Sequence, residues 1–355
     1  MLFVTRKFPP SVGGMETLAA DIWATLSAAG TSEDVLVAHG GSNAGMLRWL
    51  PGAVRRVVRH VRRGQVQHVL VGDVLLYLLL CPVLLVLRVP HTTMAMGKDV
   101  VWRQPAYRWL VRRVLPKAPL VLAISAATAD AVVAAGVDRS RVRVVRLGVR
   151  LPDGGPTRHE ARALLRAAHG IDAATPVLVT VGRLVRRKGV AWFVDDVLPD
   201  LGGAVYVVAG SGPDAELVAG TAARRGVADR VRLLGAVPDA QRELLMRGAD
   251  VFVQPNVPVA GDMEGFGLVA VEAAVRGSLV VAADLEGLRD AVVPDETGVL
   301  VPAGDPGAWR AVLEELLADP AATEDRAREY SRRCGERYSR ERMGLALRQA
   351  LDLGA

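Results

Sequence analysis

The chain has very little cysteine. Its 355 residues include 2, Cys81 and Cys334, which stand far apart and without metal-ligand spacing. That excludes a disulfide framework and speaks for a reducing compartment. Aromatic residues make up only 5%, and no basic-aromatic interleaving offers a surface for stacking nucleic-acid bases. A nucleic-acid partner is therefore not expected. An uninterrupted apolar run is also missing. Residues 69–89 come nearest, but Gly72, Asp73, Pro82 and Arg88 break the run, and a spanning helix needs roughly 20 apolar residues. It reads instead as a strand ending near Val71, a helix over 74–80 and a buried strand over 84–89. No Gly-x-Gly-x-x-Gly follows a strand with an acidic residue about 20 positions on, and no Walker loop is present. No Asp-x-Asp pair appears, so no metal is expected to neutralise a phosphate. No secretory leader is read, because Leu2–Thr5 already has the pattern of a buried strand; a cytoplasmic location is expected.

What the chain does have is apolar residues at 51%, 36 glycines and enough length for two domains, each with its own core. That composition suits an α/β protein. With 44 Lys and Arg against 38 Asp and Glu, the net charge is +6, carried largely by arginine. Nucleic acid, an anionic membrane, an anionic substrate or plain arginine richness would each account for it.

Chemistry concentrates in Gly261-Asp262-Met263-Glu264-Gly265-Phe266-Gly267-Leu268-Val269-Ala270-Val271-Glu272. Gly265–Gly267 reads as the loop that opens an apolar helix over 268–275. Free N–H groups at a helix start favour an anion, and glycines let it approach the backbone. A carboxylate such as Glu272 can accept two hydrogen bonds from a vicinal diol. Phosphate with hydroxyls at both ends describes a nucleotide sugar. Acidic residues suiting the helix dipole would give the same pattern.

Glu264 and Glu272, with Gly265-Phe266-Gly267 between them, resemble the E-x7-E signature of retaining glycosyltransferases of the GT-B fold, most closely glycosyltransferase family four. The resemblance implies two Rossmann-like α/β domains facing across a cleft. Residues 1–151 would hold the acceptor and 152–332 the nucleotide-sugar donor, with 333–355 crossing back to the first domain. Pro152-Asp153-Gly154-Gly155-Pro156 is the best linker.

Along the chain, Gly13 and Gly14 open a helix running to about Ala29, and the resemblance places them near donor phosphates and acceptor. The approach to the second strand, residues 30–35, departs from the family's usual Gly-His-x-Val. Residues 48–63 carry the densest arginines. Val54, Val57, Val58 and Val61 fall on one helical face, and the Arg55–Arg63 side is basic. Such a helix can lie on an anionic bilayer or pack on its own sheet. His91 is expected at the carboxyl end of the strand before it, where α/β sheets bind ligands, and the resemblance faces it toward sugar and acceptor. Lys98 and Asp99 follow in the same loop, on the acceptor side. Ser125 reads as a helix N-cap.

In the second half, Gly182-Arg183-Leu184-Val185-Arg186-Arg187-Lys188-Gly189 matches the family's Gly-Arg…Lys-Gly donor motif. A diphosphate needs cations, and Arg183 offers a fork of donors where Lys188 offers a point charge. Gly212 and Val237 lie in turns that the resemblance assigns to the donor, Val237 beside the nucleobase. Gly265, Phe266, Gly267 and Leu268 would meet the diphosphate, Glu272 the ribose, and Glu264 the sugar.

The resemblance thus implies metal-independent, retaining transfer of a hexose from a GDP- or UDP-sugar to a hydroxyl acceptor, with no further cofactor. A lipid-linked or envelope glycan would suit the basic helix, with peripheral contact at an anionic membrane. A soluble small molecule is the alternative, and a non-catalytic nucleotide-sugar-binding protein is a more remote one.

Overall fold

The structure is a computed structural model that describes residues 1–11, 13–27, 34–41 and 43–352. The chain forms two compact units, Met1–Gly148 with Ala260–Phe266 and Arg340–Ala355, and Val149–Val259 with Gly267–Ser339.

The first unit is built on β1 (Leu2–Thr5), β2 (Val35–Ala38), β3 (Val69–Val71), β4 (His91–Ala95), β5 (Leu120–Ala123) and β6 (Val142–Val144). They form one parallel sheet in the order β2-β1-β3-β4-β5-β6. The helices between them are α1 (Gly14–Ser27), α2 (Asn43–Arg62), α3 (Val74–Leu87), α4 (Lys98–Val101), α5 (Pro105–Val114) and α6 (Ala126–Ala134). The central strands are short apolar runs because helices cover both faces of such a sheet and leave no side for polar residues. Leu2, Phe3 and Val4 are completely buried, as are Val69, Leu70 and Val71. The order reverses between β1 and β3, so the crevice favoured for ligands lies at their carboxyl ends.

Two expectations are corrected here. Residues 84–89 are not a strand. The helix that starts at Val74 runs to Leu87 with Pro82 inside it, and the chain then turns at Arg88 with φ 51°. Asp73 caps this helix by accepting the Leu76 N–H at 3.0 Å, and its buried side chains, from Val74 to Leu84, hold it in the core. The next strand is therefore His91–Ala95, several residues later. The basic helix is also longer than the valine pattern implies: α2 begins at Asn43 and carries Pro51 in its interior. Its apolar stripe packs inward, with Ala53 and Val57 fully buried, while Arg55, Arg56, Arg59 and Arg62 stay exposed. The expected turn at 30–33 and the helix end at Ala29 lie outside the described residues.

In the second unit come α7 (Arg158–His169), β7 (Val177–Val181), α8 (Val190–Asp196), β8 (Val205–Ala209), α9 (Ala215–Arg224), β9 (Val231–Gly235) and α10 (Asp239–Gly248). They are followed by β10 (Val251–Gln254), α11 (Leu268–Ala274), β11 (Leu279–Asp284), α12 (Leu288–Ala291), β12 (Val299–Pro302), α13 (Pro306–Ala318) and α14 (Pro320–Arg337). The sheet is again parallel, in the order β12-β11-β10-β7-β8-β9. This is the doubly wound order of mononucleotide-binding folds, with its switch point between β7 and β10.

The boundaries shift from those read in the sequence. Val149 already belongs to the second unit, where its N–H donates to the Tyr338 carbonyl at 2.8 Å. Residues 333–339 stay there as well, since α14 packs on α11 and β11 and buries Cys334 completely. The helix that joins the first unit is α15 (Arg340–Ala350), which packs on α1 with Arg340 ion-paired to Asp21. Residues 260–266 also group with the first unit. The linker around 152–156 is fastened, because Arg247 donates to the Gly154 and Pro156 carbonyls.

Candidate functional site

The turns at the carboxyl ends of β7, β8, β9 and β10 hold most of the expected donor residues on one edge of the second sheet. Arg183 follows Gly182 directly after β7. It is exposed, and among the described residues its side chain makes no hydrogen bond or ion pair. An unpaired guanidinium at a switch point has its full fork available to an anion. Lys188 ends the short turn 186–188 and is only 8% exposed. Gly189 has φ 66°, and a Cβ there would stand 1.8 Å from the Pro255 carbonyl oxygen, so only glycine lets the turn after β7 pass the end of β10.

Gly212 is placed in this edge for a different reason. A Cβ on it would meet the Leu184 carbonyl oxygen at 2.1 Å, and one on Gly210 would meet that of Gly182 at 1.8 Å. The Leu184 N–H donates to the Ser211 carbonyl at 3.0 Å. These glycines let the β7 and β8 turns pack backbone on backbone, which sets the position of Arg183. Val237 is half-buried in the turn between β9 and α10.

Glu272 lies on the second turn of α11. Its Oε2 accepts from the Arg242 guanidinium at 3.3 Å, and its backbone carbonyl accepts from Arg276 at 2.9 Å. Arg276 and Arg247 both hold Glu243, next to Arg242 on α10. Burial alone would raise the Glu243 carboxyl, but the two arginines outweigh it and hold it below the usual range. Arg242 carries no signal in the sequence, since one arginine on a helix is common in this chain. Gln254 is also new. It ends β10 at 2% exposure, and both its amide oxygen and nitrogen are buried without a partner. A polar residue ending an apolar run was the readable sign of it.

The acidic stretch itself divides. Glu264, Gly265 and Phe266 are buried and group with the first unit; Gly267, with φ 94°, begins the second. Gly265 sits against the loop after β4, where a Cβ would be 2.3 Å from the Met96 carbonyl oxygen. The Thr128 hydroxyl donates to the Gly265 carbonyl at 3.3 Å. Gly267 packs on Leu288, whose Cδ2 would be 2.5 Å from a Cβ there. The helix that follows is Leu268–Ala274, two turns only, so an anion at its start would depend on the individual N–H groups more than on a macrodipole.

In the first unit, His91 is displaced from its expected role. It is the first residue of β4, at the amino end of the strand, roughly 13 Å along the chain direction from the ligand-favoured edge. It is 4% exposed, its Nδ1 lies 2.9 Å from the Val89 carbonyl and its Nε2 lies 3.4 Å from the Tyr77 hydroxyl. Burial lowers its pKa, and the Val89 bond offsets this only partly. It is a core histidine. The carboxyl end of β4 continues into Met96 and Gly97 instead.

Asp99 makes structural contacts. Its two oxygens accept the Val74 N–H at 2.9 Å and the Met96 N–H at 2.8 Å, tying the start of α3 to the β4 turn. Burial and the nearby Asp73 carboxylate raise its pKa to about 7 despite those bonds. Asp73 accepts from Arg6 at 2.9 Å through Oδ1, and its buried Oδ2 has no partner. Lys98 is exposed and pairs with Asp262 at 3.1 Å. Gly13 lies against the buried Glu16, which pairs with Lys7 at 3.1 Å, and Gly14 opens α1 with open space where a Cβ would be. Ser125 caps α6, accepting the Thr128 N–H at 3.0 Å.

The profile of glycosyl transferases group 1 matches residues 161–334, and that of glycosyltransferase family 4 matches residues 12–151. A D-inositol 3-phosphate glycosyltransferase of Segniliparus rotundus is 34% identical over 65% of this chain and 53% of its own. An alpha-maltose-1-phosphate synthase of Mycolicibacterium smegmatis is 31% identical over 65% of this chain and 62% of its own. The matches thus span about half to three fifths of these relatives. Among solved structures, sucrose-phosphate synthase of Thermosynechococcus elongatus superposes with a TM-score of 0.79 at 22% identity, over 99% of this chain and 98% of that one. Anabaena HepE in complex with UDP-glucose does so at 0.79 and 19% identity, over 100% of both. These likenesses carry the fold, and the profiles carry the family: the chain belongs to the GT-B glycosyltransferases, in the family-four group.

Proposed function

We propose that the protein transfers a hexose from a nucleotide diphosphate sugar to a hydroxyl acceptor, with retention at the anomeric carbon and without a metal ion. The observation that carries this is the unpaired Arg183 fork beside the Lys188 turn at the switch point of a mononucleotide-type sheet. In this reading Arg183, Lys188 and the N–H groups around Gly267 and Leu268 hold the diphosphate, and Glu272 holds the ribose diol. The acceptor oxygen bonds to the anomeric carbon as the bond to the diphosphate breaks. The acceptor proton passes to the departing diphosphate, whose growing charge strengthens the cationic contacts. Glu264 faces the sugar. No histidine is assigned to the reaction, because His91 lies at the other end of its strand.

UDP is favoured over GDP as the nucleotide, on the likeness to a protein seen with UDP-glucose. The relatives' names point to small phosphorylated acceptors, which supports a soluble acceptor. A lipid-linked acceptor has the exposed arginines of α2 in its favour. Their contact with a bilayer would be electrostatic only, because the apolar stripe of that helix is already packed inward. No helix among the described residues is long and apolar enough to cross a membrane.

Calorimetric titration with UDP and GDP tests the donor site. One nucleotide should bind, and Arg183→Ala and Glu272→Ala should each weaken it. If neither nucleotide binds, or both variants bind normally, the donor assignment is wrong.

A further inference from the structure

The first unit carries a concentration of cations of its own. Arg103, Arg108 and Arg112 line one groove of about 340 Å³ together with Val100, Val101 and Val111. Ala131 and Ala134 of α6, Ala135 just after it, and Ala260 and Gly261 also line it. Among the described residues no carboxylate lines it. All three arginines are exposed, and among the described residues none makes a side-chain hydrogen bond or ion pair.

Among the described residues, exposed arginines without a side-chain partner also stand on α2, among them Arg55, Arg56, Arg59 and Arg62, but Arg103, Arg108 and Arg112 line one groove together. Arg158, Arg162 and Arg166 line a pocket of about 200 Å³ on the other unit, but Asp250 and Glu324 answer them. In the α5 groove nothing does. The arrangement also works against its own helix. Arg108 and Arg112 are like charges at i,i+4, and Arg108 sits in the early part of α5, whose first turn has no acidic residue. Each feature disfavours the helix by a few tenths of a kcal/mol. Arg112, in the last turn, suits the helix dipole, so the departure is confined to Arg108 and the like-charge pair. Gly261 holds the geometry: a Cβ there would stand 1.6 Å from Cγ of Arg103, so this side chain lies flat on the turn.

We propose that this groove binds a phosphate group through the guanidinium forks of Arg103, Arg108 and Arg112, with the body of the ligand on the valine and alanine floor. A phosphate offers several acceptor oxygens and up to two charges to three forks, more than a single carboxylate can. The apolar floor fits a ligand whose phosphate is attached to carbon. Trp102 and Trp109, 41% and 65% exposed beside the arginines, add amphipathic surface at the rim. The site is independent of the donor reading. Its phosphate belongs either to a soluble ester or to a lipid headgroup.

The test uses full-length protein carrying Arg183→Ala, so that the donor site does not contribute. Glucose 6-phosphate and inorganic phosphate are titrated by calorimetry, and phosphatidylcholine vesicles with and without phosphatidylglycerol are used in sedimentation. Each is repeated with Arg108→Gln/Arg112→Gln added, and with Arg55→Gln/Arg56→Gln on α2 as the control. Melting curves check folding, and Arg103→Gln serves as a second, single variant. Binding of a soluble phosphate that falls about tenfold or more in the groove variant, and not in the control, supports the site and a soluble ligand. Binding only to anionic vesicles, lost in the groove variant, supports it with a lipid headgroup. No binding in either arm, or binding that the groove variants leave unchanged, overturns the proposal.

Discussion

The Arg242 guanidinium reaches Oε2 of Glu272 at 3.3 Å, joining α10 to the second turn of α11. The carboxylate proposed to hold the ribose is therefore not presented alone: a cation sits beside it and lies one helical turn beyond the Val237 turn. Removing that cation leaves the Glu272 charge closer to dominant where an anionic nucleotide must bind. Arg242→Ala should weaken UDP binding about fivefold, in keeping with a half-exposed charge contact worth roughly 1 kcal/mol. Titration of the variant with UDP checks it, and unchanged affinity would detach Arg242 from the nucleotide.

Arg183→Ala should cost more, because this guanidinium has no structural partner to lose and its whole effect falls on the ligand. A loss of about ten- to a hundredfold in nucleotide affinity is expected, with an unchanged melting temperature. Arg183→Lys should recover only part of the affinity, since a point charge cannot form a two-pronged contact.

His91→Asn should leave the rate of transfer per folded molecule near that of the parent protein. It should lower the melting temperature instead, because the ring is buried between Val89 and Tyr77. A kcat reduced a hundredfold or more in a protein of unchanged stability would return the histidine to the reaction.

Acid should weaken the first unit through its histidines. His68, bonded to Thr92 at 3.0 Å, has its pKa lowered to about 4 by burial and by neighbouring His91. Both residues bind protons more readily unfolded than folded. Their contribution to stability is full above the ordinary histidine value of about 6.5 and is lost as pH falls below it, for His68 down to about 4. Asp99, raised to about 7, acts in the opposite sense, favouring the fold at low pH and losing that effect as pH rises through 7. Denaturant midpoints measured across pH 4 to 7 separate the two by sign: His68→Gln should lessen the loss of stability as pH falls, and Asp99→Asn should lessen the loss as pH rises.

Gly189→Ala should destabilise the second unit by about 3 kcal/mol. The added methyl would occupy the space of the Pro255 carbonyl in a left-handed backbone conformation. Chemical denaturation measures it, and a loss below about 1 kcal/mol would mean that the β7 turn can move aside.

Much of this was legible in the residues themselves. Short apolar runs punctuated by glycine, such as Leu2–Thr5 and Val177–Val181, announce parallel strands buried on both faces, since no polar alternation is needed there. Gly182-Arg183 and Lys188-Gly189 fall directly after such a strand, and local order alone puts them on the carboxyl edge. The Ser125 cap is likewise a local matter of one side chain and one N–H. Other features depended on partners distant in sequence. In residues 74–95 the apolar content of helix and strand is alike, and only packing against α2, α5 and the sheet decides that Leu84–Leu87 is helix and His91 opens β4. A shift of a few residues there moves a histidine from one end of a strand to the other, and with it from candidate chemistry to core. The sequence also could not show that Asp99 spends both oxygens on Val74 and Met96, that Gly212 is dictated by the Leu184 carbonyl, or that Arg242 stands beside Glu272. Each is a contact across separate elements, and such contacts exist only once the chain has closed on itself.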